Sequence, residues 1–72
     1  MKFKELDVVR LIKAVPGTRL HAGDVGAVVM TYTNPREAYE VEFVDEDGDT
    51  VAMMPLEPQF FTLANSPARL AA

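Results

Sequence analysis

Four acids crowd the stretch "DEDGDT" (Asp45 to Thr50), and Glu40 and Glu42 stand two residues apart just before it. Carboxylates grouped like this can hold a divalent cation, divide acid and base roles, or show a negative surface to a basic partner. A calcium loop needs glycine at its sixth position and a bidentate acid at its twelfth. Counted from Asp45, Gly48 falls fourth and the twelfth residue is Leu56, so the cluster reads as a solvated hairpin tip with no metal site. Two carboxylates that share a proton-transfer task must face each other across a cleft, one of them desolvated. Glu40 and Glu42 instead share the outer face of one extended segment, about 7 Å apart by the strand rise. The single His21 has no serine, cysteine or acid partner in an evident nucleophilic pattern. No catalytic residue and no cofactor are expected, and the chain reads as a non-enzyme. The acids remain as a surface: Glu40, Glu42, Asp45, Asp47 and Asp49 are the expected contacts to a basic protein partner.

The paired glycines of "HAGDVGAVV" (His21 to Val29) raise a second chemistry, the cradling of a phosphate. Such loops need a following helix whose amides point at the anion, and commonly a lysine. Here a β-branched run follows, so the glycines read as structural. Gly23 supplies a positive φ in a tight turn, Asp24 bonds neighbouring amides, and Gly26 permits a sharp bend or the close approach of another backbone.

Those residues must be positioned by short strands. "DVVRLIK" (Asp7 to Lys13) reads as a first strand closed by Pro16-Gly17, and "GAVVMTYT" (Gly26 to Thr33) as a second, closed at Asn34-Pro35. In "AYEVEFVD" (Ala38 to Asp45), Tyr39, Val41 and Phe43 alternate with Glu40 and Glu42, the pattern of a half-buried antiparallel strand. Asp47-Gly48 signals a two-residue type I′ hairpin. "TVAMM" (Thr50 to Met54) returns and is ended by Pro55. "EPQFF" (Glu57 to Phe61) suits one 3-10 turn, and Thr62 to Ala64 form a fifth strand. The expectation is an all-β domain over residues 1–64 followed by a flexible tail over 65–72. Because closing a small sheet removes exposed edges, the favoured form is a five-stranded SH3-like barrel.

Composition narrows the classes. The chain has 72 residues and no cysteine, so its thin core must be stabilised by packing without disulfides or a cysteine-held zinc. No apolar run approaches the roughly 20 residues that cross a bilayer, and charges interrupt the N-terminal segment where a signal peptide would be apolar. A cytoplasmic protein with no membrane partner is expected. The net charge is −4, with seven basic residues scattered among eleven acidic ones; this repels a polyanion and argues against nucleic acid.

The blocks "LDVVRL" (Leu6 to Leu11), "GDVGAVV" (Gly23 to Val29) and "AYEVEFVDEDGDTVA" (Ala38 to Ala52) resemble a small bacterial family known as domain of unknown function four-nine-two-six. The likeness runs from Lys2 to Leu63, and "NSPARLAA" departs from it. It implies an SH3-like barrel and carries no catalytic residue. It also implies a gene pair, since members often lie beside another small protein. The Gly-x-x-Gly pattern is similar, more distantly, to nitrile hydratase β-subunit and ribosomal-type barrels.

Two functional readings follow. One is a binding or regulatory module, half of a two-gene, toxin/antitoxin-like pair. The other is an accessory domain docked on an enzyme subunit, as in nitrile hydratase. For either, adjacent Met53 and Met54 leave one methionine facing out; Met54, beside Pro55 and Leu56, is the expected partner contact, and the apolar strip also allows a homo-oligomer. Phe60 and Phe61 either split between core and partner surface, with Phe60 outward, or both turn inward on a 3-10 turn.

Overall fold

A computed structural model describes residues 2–65. Five strands form one antiparallel sheet: β1 (Val8–Leu11), β2 (Val25–Tyr32), β3 (Ala38–Val44), β4 (Thr50–Leu56) and β5 (Phe61–Leu63), with a 3-10 turn at Pro58–Phe60 before the last strand. Their order across the sheet is β4-β3-β2-β1-β5. β4 and β5 are both edges, so the sheet is not closed into a barrel, contrary to the expectation from its size. The turn over Pro58–Phe60 carries the chain to the far edge, where β5 has only three residues, and these pair with β1.

The sheet is nevertheless strongly curled. Two strands lie between β3 and β5, so a flat sheet would hold them about 14 Å apart at the usual strand spacing. Tyr39 on β3 and Phe61 on β5 instead meet edge to face, ring centroids 5.8 Å apart. Phe3 wedges between them, 5.2 Å from Tyr39 and 4.7 Å from Phe61. Two irregularities supply the bending. The β2–β3 register steps from Val28↔Val41 to Met30↔Glu40, leaving Val29 extra, and the β3–β4 register steps from Phe43↔Ala52 to Val44↔Thr50, leaving Val51 extra. An extra residue on one strand bends it and increases the local twist.

The concave face holds the core. Val9, Val28, Tyr39, Val41, Phe43 and Leu11 are all but sealed from solvent, and Val15 and Leu20 from the β1–β2 connection complete it. This is the face the alternation of β3 assigns: Tyr39, Val41 and Phe43 inward, Glu40 and Glu42 outward. Burying such side chains contributes about 1.5–3 kcal/mol each. Gly26 is the close approach expected of it. It lies opposite Phe43 and Val9, and a Cβ there would sit 2.8 Å from the Glu42 carbonyl oxygen and 2.9 Å from Phe43 Cδ1. Only glycine leaves room for that ring.

Several local expectations change. β1 is four residues, not seven, because beyond Leu11 the backbone turns to Phe60, whose carbonyl accepts from Ile12 N–H at 2.9 Å. β4 runs through Pro55 to Leu56. A proline is tolerated there because β4 is an edge, where a missing N–H leaves no ladder bond open. Phe60 and Phe61 both turn toward the core, Phe61 buried and Phe60 half-buried under the Lys13 ammonium, 4.7 Å from its ring centroid. Of the expected tail, only Asn65 lies within the described residues.

Candidate interaction surface

The acidic hairpin is built by its own backbone. Asp45 Oδ1 accepts from Asp47 N–H at 2.9 Å and Asp49 N–H at 3.0 Å, while Gly48 N–H donates to the Asp45 carbonyl. Gly48 has φ +85° and Asp47 no positive φ. The connection is therefore a three-residue loop with glycine in the left-handed position, not the two-residue type I′ turn, which needs two positive φ values. This loop holds carboxylate oxygens of Asp45, Asp47 and Asp49 within 4.8 Å of one another, all exposed. The amide bonds to Asp45 account for that crowding without any ion.

Glu40 and Glu42 occupy the outer face as expected, but they are not loose solvated charges. Both are half-buried. Tyr32 Oη donates to Glu40 Oε1 at 2.9 Å, and Thr50 Oγ1 donates to Glu42 Oε2. The bond to Glu40 raises the Tyr32 pKa above its ordinary value, because it is made by the neutral phenol, with burial and the nearby negative charge adding to the effect. Each glutamate is thus held in one orientation by a hydroxyl on a neighbouring strand.

The ladder surrounds them with apolar side chains. One row across the sheet reads Val8, Ala27, Glu42, Met53, and another reads Met30, Glu40, Pro55. Val8, Val25, Met30, Val44 and Met53 are each between 42% and 54% exposed, and Val8, Val25, Ala27, Glu42 and Val44 line one shallow depression. This face combines exposed hydrocarbon with two fixed carboxylates, and the acidic loop projects from its end. Met54 is not part of it: it stands opposite Val41, faces inward and is half-buried, while the outward methionine is Met53, opposite Glu42. The sequence reading missed Val8, Val25 and Val44 as surface residues and Tyr32 and Thr50 as carboxylate partners. The alternation of β3 projected onto its neighbours was the one signal that could have found them.

The remaining sequence-predicted groups lie apart. His21 is exposed near Asp24, Nδ1 to Oδ1 3.5 Å, and Asp24 Oδ2 accepts from the backbone N–H of His21 at 3.0 Å. Gly23 takes the expected positive φ, +99°. At the mouth of the core, Tyr39 Oη donates to Glu37 Oε2 and accepts from Phe3 N–H at 3.4 Å. Burial, then the bond to Glu37, raises the Tyr39 pKa, while the same bond holds the Glu37 carboxyl below its ordinary value. No helix among the described residues is long and apolar enough to cross a membrane.

The geometry defines an all-β module: an open, curled antiparallel sheet with a sealed concave face and a convex face that is apolar and acidic together. The chain belongs to the family described as domain of unknown function (DUF4926), whose model matches residues 5–63. No curated protein and no solved structure is a significant match.

Proposed function

We propose that this chain is a small cytoplasmic, non-catalytic protein-binding module, one half of a two-gene, toxin/antitoxin-like pair, whose partner is a basic protein. The supporting observation is the convex face, where Val8, Val25, Met30, Val44 and Met53 surround Glu40 and Glu42. A partner that covers this face buries hydrocarbon and must bring a cation to each carboxylate, since an unpaired charge buried at an interface is costly. The hydroxyls of Tyr32 and Thr50 hold the carboxylates in place before the partner arrives, which lowers the ordering cost of binding. The acidic loop at Asp45–Asp49 adds long-range attraction and speeds encounter. In fold terms the chain is an SH3-like module whose barrel stays open: the short 3-10 turn before β5 and the pairing of β5 with β1 support that finer reading.

The test is co-expression with the product of the adjacent gene in the host. Stoichiometric co-purification is expected with the wild type and is lost in the Glu40→Lys/Asp47→Lys double variant, whose circular dichroism spectrum stays unchanged. Equal recovery with both chains would remove the acidic face from the proposal.

A further inference from the structure

The two edges of the sheet are unequal. β5 is blunted by its length of three residues, whereas β4 offers seven, Thr50 to Leu56, without a charged side chain among them. Natural edge strands are guarded by lysines, prolines, bulges, inward charges, short length or covering loops. On β4 the extra residue Val51 and Pro55 serve that purpose toward the two ends, and Ala52–Met54 between them carry no such guard. Thr50, Val51, Met53 and Pro55 are exposed, Val51 and Met53 by more than half. Among the described residues, no backbone hydrogen bond joins Val51–Pro55 to any element other than β3. The nearest loop, at Gly17–Leu20, leaves a groove of about 570 Å³ against Val51, Ala52 and Met54. Among the described residues, this edge has no further strand on it.

We propose that β4 pairs antiparallel with β4 of a second copy of this chain, joining two sheets across a two-fold axis. Charge decides between this occupant and the other self-contact the surface offers. Stacking two convex faces would set Glu40 and Glu42 against their counterparts. Edge pairing puts three strand spacings between Glu42 and its equivalent, about 14 Å, beyond the roughly 8 Å Debye length at physiological salt. The antiparallel axis also sends the two acidic hairpin loops to opposite ends. A two-fold contact uses the same strand from both copies, so the uncharged β4 is its own complement. One short strand from each side gives a small interface, below about 1,200 Å², and so a weak, concentration-dependent dimer. The contact is independent of the protein-binding role, because the convex face stays exposed in the joined sheet.

Sedimentation and light scattering from micromolar to millimolar concentration test this. The weight-average mass is expected to rise from 7.9 kDa toward twice that value, with amide protection at residues 51–54 rising in parallel. Met53→Lys and, separately, Val51→Lys abolish both changes, while Met30→Lys, on the convex face away from the edge, leaves them intact. A monomer at every concentration overturns the proposal. So does association that survives both β4 lysines, or that disappears only with Met30→Lys. If either β4 variant fails to fold, the concentration dependence of wild-type amide protection decides alone, and protection that does not change rejects β4 pairing.

Discussion

β3 carries two different chemistries on alternate residues. Inward, Tyr39, Val41 and Phe43 are sealed, 0–2% exposed; outward, Glu40 and Glu42 are half-buried and Val44 is 49% exposed. The inner side is packed: Tyr39, Val41 and Phe43 belong to one buried cluster with residues of β1, β2, β4, β5 and the β1–β2 connection. The outer side has hydrocarbon left exposed among the described residues, and carboxylates that accept from Tyr32 and Thr50. One face specifies the fold and the other carries the proposed contact, so the same substitution should act on stability from one side and on association from the other.

The sharpest way to break that contrast is Tyr39→Ala. Removing a sealed ring that touches both Phe3 and Phe61 is expected to cost about 3–5 kcal/mol, much of the total stability of a domain this small, read as a collapse of the urea midpoint. Gly26→Ala is expected to cost about 1–3 kcal/mol by overpacking. Its Cβ would meet two atoms at 2.8 Å, Val41 Cγ1 and the Glu42 carbonyl oxygen, and the backbone oxygen cannot swing away. A midpoint unchanged by either variant would mean that the concave face is not the core described here.

pH gives a smaller handle on the same mouth of the core. The Glu37 carboxyl is lowered from 4.5, so its contribution is present above that value and is lost as pH falls through the folded value. The Tyr39 phenol is raised from 10.0, so its contribution is present below that value and is lost as pH rises through the folded value. Tyr39→Phe should flatten the stability profile at both extremes, as measured by urea midpoints across pH. A profile as steep as the wild type's would show that the Tyr39–Glu37 bond does not matter. Smallest of all, Val44→Thr on the convex face should move stability by no more than about 0.5 kcal/mol. A larger loss would mark that face as structural.

The inner side of the sheet was the more legible in the sequence, and the reason is physical. The strict alternation in "AYEVEFVD" fixes faces wherever the pleat is regular, and it placed Tyr39, Val41, Phe43, Glu40 and Glu42 correctly. It fails where a residue is inserted. The loop closed between Asp45 and Asp49 has three residues where two were expected, and Val51 is an extra residue on β4. The two insertions offset each other beyond Val51, so Glu42 faces Met53 and Val41 faces Met54 just as a two-residue turn would pair them. That count turns Met53 out and Met54 in, and only Thr50 and Val51 depart from it. Closure was illegible for another reason: it depends on which side chains fill the mouth. Phe3, Val15, Leu20 and Phe60 gather there from segments with no regular period, and a β4–β5 ladder is not needed to cover the core. The convex surface was half legible. Its acids are plain in the sequence, but its valines come from three strands that only the register brings together.

Methyl chemical-shift mapping on titration with the product of the adjacent gene probes the two faces in one spectrum. The methyls of Val8, Val25, Met30, Val44 and Met53 are expected to shift or broaden, while those of Val9, Val28 and Val41, on the same strands, stay in place. Shifts confined to the concave residues or to the Gly17–Leu20 groove, or a spectrum that does not change, would contradict the assignment of the convex face as the binding surface.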